Sequence, residues 1–227
     1  MATILYGRDL SPFARRVAVW AALQGVALER RPLMVNGPDF ETLKTVNPMG
    51  RVPILVTEDG EALIETAAII DFLEEQAPAE AKLIPVSGAP RREVLQTMAY
   101  GHSTVEKGVA LVYEKNRRPD EFQWPEWRAR LEGQITGGLD EMESRAPADG
   151  FAGGDRPNGA DVCLTLARDF IQATNPYLLD QGYPKLTALA ARCNVAMCLS
   201  ASSSSISPRR WCSIKQIVTK ISTAVLR

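Results

Sequence analysis

The 227-residue chain has a single histidine, His102, and its four cysteines, Cys163, Cys193, Cys198 and Cys212, form no C-x-x-C pair. Zinc sites built from clustered His and Cys are thereby excluded, and no metal is expected. A Ser-His-Asp triad would have to use His102, which lies in no recognised hydrolase motif. No cysteine precedes Cys163, so dithiol redox chemistry near the N-terminus has no sulfur to use. Also missing is any run approaching the ~18 apolar residues of a membrane-spanning helix. The opening MATILYGRDLSPF reaches Arg8 and Asp9 after a short apolar run and lacks a basic n-region, so it does not read as a secretory signal. An excess of one charge is absent overall: 26 Lys+Arg face 27 Asp+Glu, a net charge of −1. No global basic field exists to hold nucleic acid or an anionic membrane, and neither partner is expected. A cytoplasmic protein whose chemistry needs no metal or disulfide of its own is the class that remains.

With 45% hydrophobic and 23% charged residues, the chain has the composition of a globular protein with ample length for a core. Charge is less evenly spread than the total implies. Residues 181–227 hold seven basic residues and no acidic one, together with the serine cluster 200–207 and three of the four cysteines. So abrupt a shift marks a basic tail or sequence of different origin.

Thr3-Ile4-Leu5-Tyr6 reads as a short buried strand closed by Gly7. Ser11-Pro12 has the form of an N-cap followed by proline at the first helical position. Behind it Val17, Trp20, Ala21 and Leu23 supply an apolar helix face that ends at Gly25. A second strand is expected over 27–33 and a weak helix over 39–45, stopped by Asn47-Pro48. Pro53 to Val56 and Ala62 to Ile64 flank Glu58-Asp59-Gly60, a hairpin signal, and a helix runs from Thr66 to Pro78. After residues 85–90 strand signals cease. Helices are expected over 91–115, 127–143 and 158–173, with a short one over 186–191; Gly137-Gly138 weakens the second by roughly 1 kcal/mol per glycine. The reading is a thioredoxin-like α/β unit over 1–81, a linker over 82–90, an all-helical unit over 91–194 and an atypical tail over 195–227.

This βαβ-αββα order, with Ser11-Pro12-Phe13 opening the first helix, resembles the N-terminal domain of cytosolic-type glutathione transferases of the bacterial, serine-type, theta- or zeta-like kind. Asn47-Pro48-Met49-Gly50-Arg51-Val52-Pro53-Ile54-Leu55 is similar to their NP-x-G-[KR]-VP-x-L segment. Glu65-Thr66 stands where members have Glu/Gln-Ser, and Gly159-Ala160-Asp161 resembles the [ST]-x-A-D helix start of their helical domain. The resemblance implies an enzyme, a transferase using glutathione as co-substrate to detoxify a small electrophile, and a homodimer.

It implies site roles too. A thiol becomes a nucleophile as its thiolate, so Ser11 is expected to donate a hydrogen bond to the glutathione sulfur while the helix dipole favours negative charge. Lowering a thiol pKa by about two units takes roughly 2.7 kcal/mol. Tyr6 is the rival hydroxyl. Val52, before a Pro53 that is cis in the family, is expected to exchange backbone bonds with the cysteinyl residue. Glu65 and Thr66 are expected to take the γ-glutamyl amino and carboxylate groups, Arg51 the glycyl carboxylate, and Phe13 a place beside the tripeptide. Asn36 stands where many members carry a basic residue, which leaves the glycyl anchor open. Tyr6, His102, Glu106 and Tyr113 are candidates for the acceptor pocket, and Asn158 with Asp161 has the spacing of a capping box.

A non-catalytic interaction protein of the same fold, as in some transcription- or translation-associated relatives, is the alternative; isomerisation, reductive cleavage and dehalogenation are variants of the enzymatic reading. The family-like pattern stops near Asn194. Residues from about 195 onward are expected to be foreign to the family, such as an out-of-frame reading, and to pack poorly. The rival is a basic tail for an acidic partner, with Ile214, Ile217, Val218 and Ile221 at helical spacing.

Overall fold

The computed structural model describes residues 2–203, and there the chain forms two compact units, one reaching Leu83 and one spanning Ile84–Ala196. In the first, β1 (Ile4–Tyr6), α1 (Pro12–Leu23) and β2 (Glu29–Arg31) precede α2 (Asp39–Val46), β3 (Ile54–Val56), β4 (Ala62–Ile64) and α3 (Thr66–Gln76). The strands form one mixed sheet in the order β2-β1-β3-β4, with β1 parallel to β2 and antiparallel to β3, and β4 antiparallel to β3. Parallel pairing of β1 and β2 requires the α1 crossover, whereas β3 and β4 need only a tight turn. At that turn Thr57 N–H donates to the Glu61 carbonyl at 2.9 Å and Gly60 takes φ +91°. This is the thioredoxin-like arrangement. The strand expected over 27–33 is only Glu29–Arg31, because Pro32 has no N–H to continue the ladder.

Ile54 and Leu55 are consecutive, point to opposite faces of the sheet, and are both fully buried, so β3 is covered on both sides. Leu5, Val17, Trp20, Ile69 and Leu73 complete the core, with α1 packed on α3. A buried carboxylate ties these helices together. Glu74 Oε1 accepts from Trp20 Nε1 at 2.8 Å, Gln24 Nε2 at 2.7 Å and the Leu83 N–H at 3.0 Å.

The second unit contains α4 (Gly88–Asn116), α5 (Pro125–Arg145), α6 (Gly159–Thr174) and, as far as Ala196, α7 (Pro184–Ser203). Gly137-Gly138 does not interrupt α5. Gly138 is where α5 meets α4: a Cβ there would collide with the Thr104 hydroxyl. Gly101 plays the same part toward α6, since its Cβ would lie 3.0 Å from the Cys163 carbonyl oxygen. Carboxylates, that of Glu114 buried and that of Glu143 half-buried, start the helices. Glu114 accepts from the Trp124 N–H at 2.9 Å ahead of α5, and Glu143 accepts from the Lys185 and Leu186 N–H groups, both at 2.9 Å, at the start of α7. At α6 the capping box is complete, Asn158 Oδ1 receiving the Ala160 and Asp161 N–H groups and Asp161 receiving that of Asn158.

The helix expected over 186–191 is far longer, and it runs past Asn194 to Ser203. Of the first residues in the segment expected to pack poorly, Val195 is 62% exposed and Met197 5% exposed. Ala196, Met197 and Leu199 are good helix formers, and no Gly or Pro interrupts 195–203. Residues 204–227, with Ile214, Ile217, Val218 and Ile221, lie outside the described residues. Among the described residues no helix is long and apolar enough to cross a membrane, and no three His, Cys, Asp or Glu side chains group as a metal site.

Candidate functional site

The first unit builds its candidate site around the start of α1. Ser11 is the N-cap, with extended backbone (φ −74°, ψ 116°), and its Oγ accepts from the Ala14 N–H at 3.3 Å. Having accepted that bond, the hydroxyl keeps its own O–H to donate. Pro12 occupies the first helical position, where its missing N–H costs nothing. No acidic residue lies in the first turn, so the positive end of the helix dipole is not neutralised from within the helix.

Gly7 brings a second segment to the same place. At φ +134° it takes a conformation open to glycine, and a Cβ there would sit 2.6 Å from Ala14 Cβ and 3.3 Å from Val52 Cβ. The first turn of α1 and Val52 are therefore separated by no more than a glycine. The Val52-Pro53 peptide is cis, and Pro53 is buried. The loop before it is shaped by Asn47, which is 2% exposed: its Nδ2 donates to the Arg51 carbonyl at 3.0 Å and its Oδ1 accepts from Met49 N–H at 3.0 Å.

Glu65 is the N-cap of α3, and Thr66 is the first helical residue rather than the cap. Glu65 has φ +67° and ψ 135°, a backbone state that costs of the order of 1–3 kcal/mol for a residue with a side chain. Arg51 Nη1 lies 3.5 Å from Glu65 Oε1, each side chain half-exposed, while Thr66 is 3% exposed. Arg51, Val52, Glu65 and Thr66 thus come from two neighbouring segments, the β3 entry and the α3 start. Phe13, on the first turn of α1, is half-buried, and Asn36 is half-buried in the bend between β2 and α2.

Tyr6 is engaged elsewhere. Its hydroxyl accepts from Arg31 Nη1 at 3.0 Å, and the guanidinium lies 5.7 Å from its ring centroid. The other acceptor candidates belong to the second unit, on α4. His102 Nε2 lies 3.7 Å from Glu106 Oε1, and Tyr113 is half-exposed. At spacings of four and seven, these residues share a stripe distinct from the buried one that carries Gly101, Thr104, Val105, Gly108 and Leu111. Sequence reasoning treated Gly7 as a strand end and Asn47 as a helix stop. Their site-building parts depend on what packs beside them, which no local pattern records.

The glutathione S-transferase N-terminal domain model matches residues 5–81, and the corresponding C-terminal domain model matches residues 125–192. Maleylacetoacetate isomerase of Pseudomonas aeruginosa is 33% identical over 165 residues, covering 70% of this chain and 76% of that protein. A glutathione transferase family member from Pseudomonas fluorescens, solved with bound glutathione, has a TM-score of 0.74 at 27% identity, over 84% of this chain and 93% of its own. A glutathione S-transferase from Methylobacterium radiotolerans, solved with glutathione sulfonate, has a TM-score of 0.80 at 21% identity, over 91% and 95%, a likeness of fold. With both domain models matched in order across more than half of its length, and an isomerase relative spanning most of it, the chain belongs to the glutathione S-transferase family.

Proposed function

We propose that this family member binds glutathione in its first unit and activates the thiol for attack on a small electrophile, with Ser11 as the catalytic residue. The observation that carries the reading is the Ser11 hydroxyl at the N-cap of α1, a helix whose first turn faces Val52 across Gly7. A cysteinyl backbone paired with Val52 N–H and C=O leads its side chain toward that helix start. The Ser11 O–H and the dipole then stabilise the thiolate, whose proton leaves to solvent. Thr66, at the α3 N-terminus, holds the γ-glutamyl carboxylate and Glu65 its amino group. Arg51 takes the glycyl carboxylate, Asn36 of the β2–α2 bend is a further proposed contact, and Phe13 lies beside the tripeptide in this reading. The Arg51–Glu65 pair is half-exposed and worth no more than about 1 kcal/mol, so a ligand that recruits either side chain gives up little. Tyr6 of the first unit and His102, Glu106 and Tyr113 of the second are the proposed acceptor residues, and the proposed working form is a homodimer.

In transfer, the sulfur bonds the electrophilic carbon and the leaving group departs with its electron pair. The similarity to a maleylacetoacetate isomerase favours a second course, in which sulfur adds to a double bond and is later expelled. Glutathione is consumed in the first course and regenerated in the second, so following free thiol together with product separates them.

Calorimetric titration with glutathione and turnover on a panel of electrophiles, peroxides and disulfides test the reading. Ser11→Ala should lower turnover about 10- to 100-fold with glutathione affinity nearly intact, because the hydroxyl acts on the thiolate. Unchanged turnover would transfer the role to Tyr6 or to backbone donors. Failure of the wild-type protein to bind glutathione would favour a non-catalytic interaction protein.

A further inference from the structure

We propose that Arg30 is a positioning residue for Ser11, acting through Asp9 and the Gly7 carbonyl; the inference rests on Ser11 activating the thiol. Ser11 is carried by the loop between β1 and α1. That loop is anchored at its start by Gly7 N–H donating to the Arg31 carbonyl at 3.0 Å, and it closes by Ser11 N–H donating to the Arg8 carbonyl at 3.0 Å. Between these points it is held by one side chain from β2. Arg30 Nη2 donates to Asp9 Oδ1 at 2.8 Å and, more weakly, to the Gly7 carbonyl at 3.4 Å.

The strand explains how Arg30 reaches it. Glu29 and Arg31 lie on the exposed face of β2, and Arg30 between them points to the opposite face, in register with the fully buried Leu5 of β1. Its side chain is 19% exposed, so the aliphatic stem is covered while the guanidinium crosses the end of β1 to the loop. Strand packing alone would be served by an apolar residue here. The charged end instead spans two points of the five-residue segment that ends at Ser11, one on either side of Arg8.

Because Asp9 is 40% exposed, the pair adds little to global stability. Its effect is on geometry, where displacement of a reacting group by about 1 Å costs on the order of a hundredfold in rate. Arg30→Met should lower kcat about tenfold, leave KM for glutathione within about twofold, and reduce the ultraviolet absorbance of the bound thiolate at fixed pH. A single nitrogen makes both contacts, so Arg30→Lys should restore most of the activity. Asp9→Ala should reproduce most of the loss. The double variant should be no worse than Arg30→Met, since both act through one contact.

These variants should melt at the wild-type temperature. Wild-type kcat and thiolate absorbance in Arg30→Met would overturn the proposal while leaving the Ser11 reading in place. Additive losses, or a lowered melting temperature that lysine does not restore, would overturn it in favour of a purely structural role. If the wild-type protein itself binds glutathione without forming thiolate, or does not bind it, the Ser11 reading fails first and this one with it.

Discussion

Replacing Asp161 by alanine should damage folding and spare chemistry. Its carboxylate is fully buried, and Oδ1 accepts from the Ala152 N–H at 2.9 Å. Oδ2 accepts from the N–H groups of Gly153 at 3.2 Å and Asn158 at 2.9 Å. Burial raises the pKa of the group, and these three backbone donors oppose that rise. In Asp161→Ala three donors lose their acceptor at once, in the loop ahead of α6 and at its cap. Hydrogen bonds to a charged group contribute about 1.5–3 kcal/mol each, but relief of the carboxylate's own desolvation offsets part of the sum. A net loss of about 3–4 kcal/mol is expected, a large fraction of the roughly 5–15 kcal/mol that holds a domain folded. Asp161→Asn keeps the shape and one acceptor oxygen, so it should lose about 1–2 kcal/mol. Urea unfolding followed by far-ultraviolet circular dichroism measures both, with turnover assayed well below the midpoint. A loss under 1 kcal/mol in the alanine variant would refute the reasoning, as would a variant of wild-type stability whose kcat falls.

Further expectations concern backbone, packing and pH. Glu65→Gly should raise stability by about 1 kcal/mol, since glycine adopts φ +67° without strain, while weakening glutathione binding several-fold; equal affinity in a thermal-shift titration would remove Glu65 from the site. Gly137 has nothing within 4 Å of a built Cβ, whereas that of Gly101 meets the Cys163 backbone. Gly137→Ala should therefore stabilise by about 1 kcal/mol and Gly101→Ala destabilise by about 1–3 kcal/mol, and a reversed order in denaturant midpoints would contradict the packing. Tyr183 is pushed up to about 12 by burial and by its hydrogen bond to Asp140 at 3.1 Å. A folded-state pKa above the unfolded value of about 10 means its contribution is whole below pH 10 and lost between pH 10 and 12. Relative to wild type, Tyr183→Phe should flatten stability across that window, and parallel curves would rule the linkage out.

What the sequence determined by itself is the set of features whose cause lies within a few residues. Ser11-Pro12 caps α1 because a hydroxyl three positions ahead of Ala14 reaches its N–H; Asn158 and Asp161 close on each other at the same spacing. Asp59-Gly60 turns β3 into β4, and alternation with 3.6-residue periodicity separates the α/β unit from the helical one. Tertiary structure decided whatever joins residues far apart. Glu74 lies 54 positions from Trp20, and Glu143 lies 42 from Lys185; at sequence level each is one more acidic residue on a helix. Arg30 and Asp9 are likewise indistinguishable from surface charges until β2 pairs with β1. Gly138 reads as a helix weakness, because propensity counts the missing side chain as a loss and cannot see the neighbouring helix that fills its place. The candidate site divides in the same way. Its residue types were legible as motifs, but a glycine at position 7 that lets Val52 stand beside the Ser11 helix is a property of packed layers, and chain order carries no record of it.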